Sequence, residues 1–551
     1  MQITSSGCVP RAGSRERVRV PRCGGRCDAA AAGGAELGGA AAGRYPRLAV
    51  LGPARALLGL STREVLQLWR AEADLSLPRD IWPLLKSSGP TSPFKMDIDI
   101  ECQELSGSRW TELVSSMKDC KAIRLDYCKL SRSHCEDLCS VLSTNQSLKE
   151  LKLDHNELKD EGVEVLCKGL LTPSCNLELL WLENCNLTGA CCESLRSVLS
   201  TKPSLTDLHL SRNKLETSGG KVLCQGLLDA NCKVQSLVLE NCDITADSCG
   251  DLATVLSTKP LLLDLAVGKN NIGDAGFTLL CKGLVYPNYN IQKLCLDNCG
   301  MTADSCGDLA TVLSTNPSLL DLALDNNNFG DVGLVLLCKG LIHPKCNIQK
   351  LWLWECHFTA VACKDLANVI GTKESLRRIS LTLNELGDAG MEMLCQGLKD
   401  PKCKLQFLSL KECGLTSACC ESLRSVLSTK QSLKHLEIGS NRLKDEGAKL
   451  ICEGLLDTNC NLETIWLGES ELTAACCDSL AAVISTKQCL RYLGLDLNRL
   501  ENEGVRKLCE AVRSPNCKLK YLMLYDIYWS SEVEAELRAL EESKPGLKII
   551  F

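Results

Sequence analysis

Aromatic residues are scarce in this 551-residue chain, at 4 %, and there are only 6 histidines. With 41 Gly and 17 Pro, the composition is neither collagen-like nor prion-like. No apolar run reaches the roughly 18 residues that a membrane-spanning helix requires. The best candidate, Leu48 to Leu60, is broken by Pro53 and Arg55. There is no G-x-x-x-x-G-K-[ST] loop, because Gly219-Gly220-Lys221 lacks the preceding glycine spacing and the following Ser or Thr. No H-E-x-x-H occurs, and no histidine stands in a base-plus-nucleophile arrangement. Without a C-x-x-C pair or clustered histidines, no metal and no cofactor are expected. These absences point to a protein that is not an enzyme.

Positive charge is short in the longer part of the chain. Residues 1–95 hold 14 Lys+Arg and 7 Asp+Glu, whereas residues 96–551 hold 48 and 61, a balance of −13. Nucleic acid is a poor partner for that acidic stretch, since phosphate contacts need Lys and Arg. A basic protein fits it better. Residues 1–95 are rich in Ala, Gly, Arg and Pro and carry no repeat. They read as a disordered leader, or as an extension ahead of a start at Met96.

Cysteine is abundant, with 37 residues, 34 of them after residue 95. No credible secretory signal opens the chain, so the thiols are expected to be reduced and the compartment cytoplasmic, with the nucleus as a further possibility.

The dominant positive signal is a repeat. Segments such as LKELKLDHNELKDEGVEVLCKGL and LELLWLENCNLTGACCESLRSVLS share the pattern L-x-x-L-x-L-x-x-N/C-x-L. Its Asn/Cys position falls at Cys128, Asn156, Cys185, Asn213, Cys242, Asn270, Cys299, Asn327, Cys356, Asn384, Cys413, Asn441, Ser470, Asn498 and Ile527. The spacing alternates 28 and 29 without insertion, so two repeat types alternate. Within each unit the L-x-L core has the period of a strand, and the following stretch has the three- and four-residue spacing of a helix. The expected architecture is α/β: a leucine-rich-repeat horseshoe, with a parallel sheet on the concave face and helices on the convex face. Most cysteines recur at the turn or in helical motifs such as LCKGL, as small buried hydrophobes. The adjacent pairs Cys191–Cys192, Cys419–Cys420 and Cys476–Cys477 are the ones that invite oxidation.

Residues beside the strand leucines should face the concave side, where large apolar groups suggest a covering partner. Trp352 and Trp354 in Leu351-Trp352-Leu353-Trp354 occupy such positions, and Trp466 and Trp181 are in register with Trp352. The last repeat breaks the pattern at Ile527, where Tyr525, Asp526 and Tyr528 cluster. A carboxylate between aromatic walls suits capture of a Lys or Arg.

The alternating period, the start DIECQELSGSRWTEL, the strand KLWLWEC and the ending LYDIYWS together resemble the vertebrate cytosolic ribonuclease inhibitor family, over Met96 to Phe551. The resemblance implies a monomer that binds secreted pancreatic-type ribonucleases and angiogenin one-to-one, blocks their active site and is inactivated by thiol oxidation. It makes Tyr525, Asp526 and Tyr528 the main contacts, with Asp526 pairing the catalytic lysine of the ribonuclease. Trp352, Trp354 and Trp466 match the family's concave tryptophans, and Ser380 and Lys411 match lesser contacts. Four positions depart: Ser409 stands where a tryptophan is expected, Arg378 and Tyr492 where acids are expected, and Phe551 replaces a terminal serine. The other reading of the repeats is the corresponding region of a nucleotide-binding innate-immune receptor, or a general interaction scaffold.

Overall fold

A computed structural model describes residues 97–286 and 290–551. The expectation for residues 1–95 lies outside the described residues. The unit Pro93–Phe551 is built from short strands and helices in strict alternation. Each strand pairs in parallel with the next in the chain, from Ile98–Glu101 through Lys350–Trp352 to Lys548–Ile550, giving one sheet of 17 strands. The fifteen turn positions seen in the sequence account for all but the flanking strands Ile98–Glu101 and Lys548–Ile550. Neither flanking strand is followed by the repeat's Asn/Cys turn residue, so the period alone does not reveal them.

The middle residue of every three-residue strand is aliphatic and buried, as with Leu151, Leu180, Leu351 and Leu408. Stacked in register, these residues form a continuous row that no single unit could bury alone.

The turns explain why Asn and Cys alternate. Asn327 accepts hydrogen bonds from Cys299 N and Met301 N, and its amide donates to Leu296 O and Leu324 O. It is 3 % exposed, so these bonds satisfy backbone groups that water cannot reach. Asn156, Asn213, Asn270, Asn384, Asn441 and Asn498 accept in the same way from the preceding unit. A turn cysteine does less: Cys299 Sγ donates to Val267 O. Asn therefore ties its unit to the preceding Cys unit with several strong bonds. Cys ties its own unit back with one weak bond.

The helices follow the same alternation. Most Cys units carry a ten-residue helix, such as Cys363–Thr372, entered through a 3-10 turn capped by Thr359, whereas the Cys128 and Cys242 units run straight into 13-residue helices, Arg132–Thr144 and Ala246–Thr258. Asn units carry a longer helix, such as Gly387–Lys399. That longer helix lies close against the preceding short one because of the glycine in its LCxGL motif. A β-carbon on Gly397 would stand 2.1 Å from Ala367 O, a separation no side chain permits. Across the other junction, Asp388 accepts from Thr416 N and Thr416 Oγ1. Burial raises the Asp388 pKa, but the Thr416 bonds outweigh it and leave the carboxyl below its usual range.

All the described cysteines are free thiols, and all but Cys102, Cys139 and Cys489 are buried. The sequence reading of them as small core residues is thus borne out. Among the described residues, no helix is long and apolar enough to cross a membrane.

Candidate partner-binding face

Three rows of side chains line the concave face: the residues before and after each buried strand leucine, and the residue two further on. In the first half these rows are acidic. They hold Asp126, Glu150, Asp154, Glu183, Asp207, Glu240, Asp264, Asp297, Asp321 and Asp325 against Arg124, Lys152 and Lys293. From Lys350 onward the acids thin to Glu437 and Asp496, and aromatics take over.

Burial raises the carboxyl pKa of three of these acids, Asp126, Asp154 and Asp264, above its ordinary value. Asp126 Oδ1 accepts from Asp154 N, and Asp154 Oδ1 accepts from Glu183 N at 2.7 Å. Burial, more than these bonds, pushes Asp126 up to about 6, and it pushes Asp154, with the neighbouring Asp126 charge, up to about 8. A raised carboxyl pKa means that the folded state holds the proton longer than the unfolded chain does. Stability contributed at Asp154 is therefore lost as pH climbs from about 4 towards 8. Asp154→Asn should raise the melting temperature at pH 8 and leave it nearly unchanged at pH 4. A thermal melt at both pH values checks this, and an equal shift at both would refute it.

Trp352 is half-buried in the strand Lys350–Trp352, and its indole N–H donates to Asp321 Oδ1 at 2.9 Å. Its ring leans on Phe407 at 6.0 Å. Trp354 follows on the same face; its backbone N–H donates to Asp325 Oδ1. The Trp354 Nε1–H is buried without an acceptor. Trp352 is in register with Ser380, and Ser380 with Ser409. Ser409 donates to Glu437 Oε2 at 2.7 Å, so a serine–glutamate bond occupies the position where a tryptophan was expected. Lys411 lies two residues beyond Ser409 and is half-buried.

Trp466 stands four strands from Trp352, roughly 19 Å along the sheet at the usual strand spacing. It lies flat over Gly494: a β-carbon there would be 2.0 Å from Trp466 Cε3. Two strands further come Tyr525, half-buried, and Asp526, exposed in a left-handed turn at φ 56°. Tyr528 beyond them is 89 % exposed. Ile527 between them is buried, taking the turn-residue position with an aliphatic group. The structure thus gathers Trp352, Trp354 and Ser380 at one station. It places Tyr525, Asp526 and Tyr528 at another, with Trp466 between.

Trp181 is in register with this row, but both of its faces are covered. Lys152 Nζ sits 3.6 Å from one ring centroid, and His209 stacks at 4.2 Å. Burial, helped by the Lys152 charge, lowers His209 to about 3, so it stacks as a neutral ring.

Sequence reasoning weighted the residue after each leucine. Phe407, His435 and Tyr521 precede it and were not singled out. Arg378 stacks on Phe407 at 4.6 Å, and Tyr492 stacks on Tyr521 at 4.9 Å. Register was the available signal, since these residues share a row with Lys350 and Arg378. Two of the departures, Arg378 and Tyr492, are therefore parts of stacked pairs.

The family described as Capping Ribonuclease inhibitor Leucine Rich Repeat matches residues 96–125, and the Leucine Rich repeat family matches six segments from 144–167 to 486–509. Ribonuclease inhibitor of Mus musculus is 42 % identical over 455 residues, covering 83 % of this chain and all of that protein. Ribonuclease inhibitor of Sus scrofa is 43 % identical over the same lengths. NACHT, LRR and PYD domains-containing protein 3 of Homo sapiens is 43 % identical over 313 residues, covering 57 % of this chain and 30 % of that protein. With its capping segment, its unbroken alternation of Asn and Cys units and its match along the full length of both inhibitors, the chain belongs to the ribonuclease inhibitor family of leucine-rich-repeat proteins, a family of non-enzymatic binders.

Proposed function

We propose that this chain binds pancreatic-type ribonucleases and angiogenin-like proteins one-to-one, as a monomer in the cytoplasm or nucleus, and inhibits them by covering the active site. The observation that carries this reading is Asp526. It is an exposed carboxylate between Tyr525 and the outstanding ring of Tyr528, at the end of an otherwise regular sheet. The carboxylate takes a cation and the rings supply apolar walls. Trp352, Trp354 and Trp466 are the further anchors, with Ser380 and Lys411 as lesser contacts.

Inhibition needs no chemistry. Ribonucleases of this class are basic because their substrate is a polyanion. The acidic rows of the first half attract such a protein at long range, which makes association fast and salt-dependent. The aromatic half then slows dissociation. Thiol sensitivity belongs to the same reading. Cys191–Cys192, Cys419–Cys420 and Cys476–Cys477 are fully buried, so an oxidant reaches them only through local opening, and a bond formed there would keep the repeats from closing.

The test is a pancreatic-type ribonuclease assay with the purified chain, with and without dithiothreitol. Stoichiometric inhibition under reducing conditions supports the proposal. No inhibition in either condition favours the alternative, a repeat region serving a nucleotide-binding innate-immune receptor, which the 43 % identity to the NACHT protein keeps in view.

Gly494 offers a finer check. Gly494→Ala forces the Trp466 ring off the sheet. Inhibition should weaken at least about ten-fold, the scale of a lost aromatic anchor, while the melting temperature changes little. Unchanged inhibition would remove Trp466 from the contact set.

A further inference from the structure

Three side chains that could hold a metal converge on the concave face of the middle strands, two strands before Trp352. Cys295 ends the strand Lys293–Cys295, and Asp297 follows two residues later on the same face, as the strand period dictates. Glu240 follows the strand Ser236–Val238, two units earlier. Cys295 Sγ stands 2.6 Å from Asp297 Oδ1 and 3.8 Å from Glu240 Oε1. One donor atom from each residue lies within 4.8 Å of the others, and all three residues are buried.

The unit between them is shaped to let them meet. Its corresponding positions hold Ala266 and Gly268. A β-carbon on Gly268 would lie 2.0 Å from Asp297 Oδ1, so any larger residue would evict the carboxylate. Beside the group, Ala266, Cys295 and Ala323 form a small apolar patch distinct from the main core, with Val238 and Trp352 packed against it. Carboxylates held against an apolar wall are unfavourable unless positive charge meets them. Lys269 Nζ, 3.8 Å from Asp297 Oδ2, supplies one such charge.

We propose that Glu240, Cys295 and Asp297 bind a thiophilic divalent cation of the zinc or cadmium class. On binding, the Cys295 thiol releases its proton to solvent and its sulfur becomes a donor; no electron is transferred. The thiolate and two carboxylates bring three negative charges. The ion offsets two and the Lys269 ammonium offsets the third. Sulfur selects such an ion over magnesium or calcium, which take oxygen donors. Donors about 2.0–2.3 Å from a tetrahedral zinc stand roughly 3.5 Å apart. The sulfur–Glu240 distance is close to this already, and the sulfur–Asp297 contact opens by about an ångström. Metal-ligand spacing in the sequence could not reveal this set, because Glu240 lies two repeats upstream of the Cys-x-Asp pair.

The test is calorimetric titration of the full chain with zinc chloride in a thiol-free phosphine reductant, repeated with cadmium while following the ultraviolet sulfur–cadmium band. One site is expected in the wild type. It should persist in Cys102→Ser, which removes an exposed thiol, and weaken at least ten-fold in Cys295→Ala and Asp297→Asn. Circular dichroism establishes that each variant is folded, and Asp297→Asn, which keeps the side chain's shape, decides the matter if Cys295→Ala does not fold. No binding to the wild type, or equal binding by wild type and Asp297→Asn, overturns the proposal.

Discussion

Asp526→Ala should weaken inhibition of a pancreatic-type ribonuclease by about 2–5 kcal/mol, the penalty for leaving a partner's buried cation without its counter-charge. That range corresponds to roughly thirty-fold up to several thousand-fold in the inhibition constant. The chain itself should lose little, because the Asp526 side chain is exposed. Its backbone is the complication: φ is 56°, a left-handed conformation that alanine tolerates poorly and asparagine well. Asp526→Asn is therefore the cleaner variant. It keeps the turn and the shape, removes the charge and should reproduce most of the loss. Inhibition within threefold of wild type in both variants would mean that the tyrosine-flanked carboxylate is not the main contact.

Asn327→Ala should be the most damaging single change to the fold. It leaves Cys299 N, Met301 N and Leu296 O without their Asn327 partner in the interior and reduces Leu324 O to the weak Cys356 thiol bond. Each unsatisfied buried group costs about 1–3 kcal/mol. Even with partial relaxation, a loss of about 4 kcal/mol or more is expected. Cys299→Ala removes one weak Sγ–H···O bond to Val267 and a little packing, so about 1 kcal/mol is expected there. Urea unfolding of the two variants side by side measures the contrast. Hydrogen exchange should show the opening centred on the strands around residues 295 and 323. Equal, small effects would mean that the asparagine ladder does not hold the turns.

The repeat made most of the fold legible. Leucine spacing places strands, the Asn/Cys position places turns, and three-residue spacing places helices, because each is a local demand repeated many times. The flanking strands Ile98–Glu101 and Lys548–Ile550 escaped because neither is followed by the repeat's Asn/Cys turn residue. Single residues on the concave face were legible only in part. Trp352 and Trp466 stood out by size and register. Whether such a ring is open depends on neighbours 28 or 29 residues away: Lys152 and His209 cover Trp181, whereas Gly494 makes room beneath Trp466. Phe407 and Tyr521 were overlooked because their partners, Arg378 and Tyr492, come from adjacent strands. A one-dimensional reading sees types and intervals. It does not see which side chains the bend of the sheet brings face to face.

The uneven bonding of the two turn residues also bears on how such a chain can change in length. Each asparagine binds strongly to the cysteine unit before it, and the helices pack more extensively within that couple than between couples. The natural module is thus the doublet. Gain or loss of a doublet leaves every junction chemically familiar, whereas loss of a single unit would set like turn against like and orphan one set of amides. Family members of different length should accordingly differ by even numbers of units, and a molecule pulled from its ends should give way in steps of two.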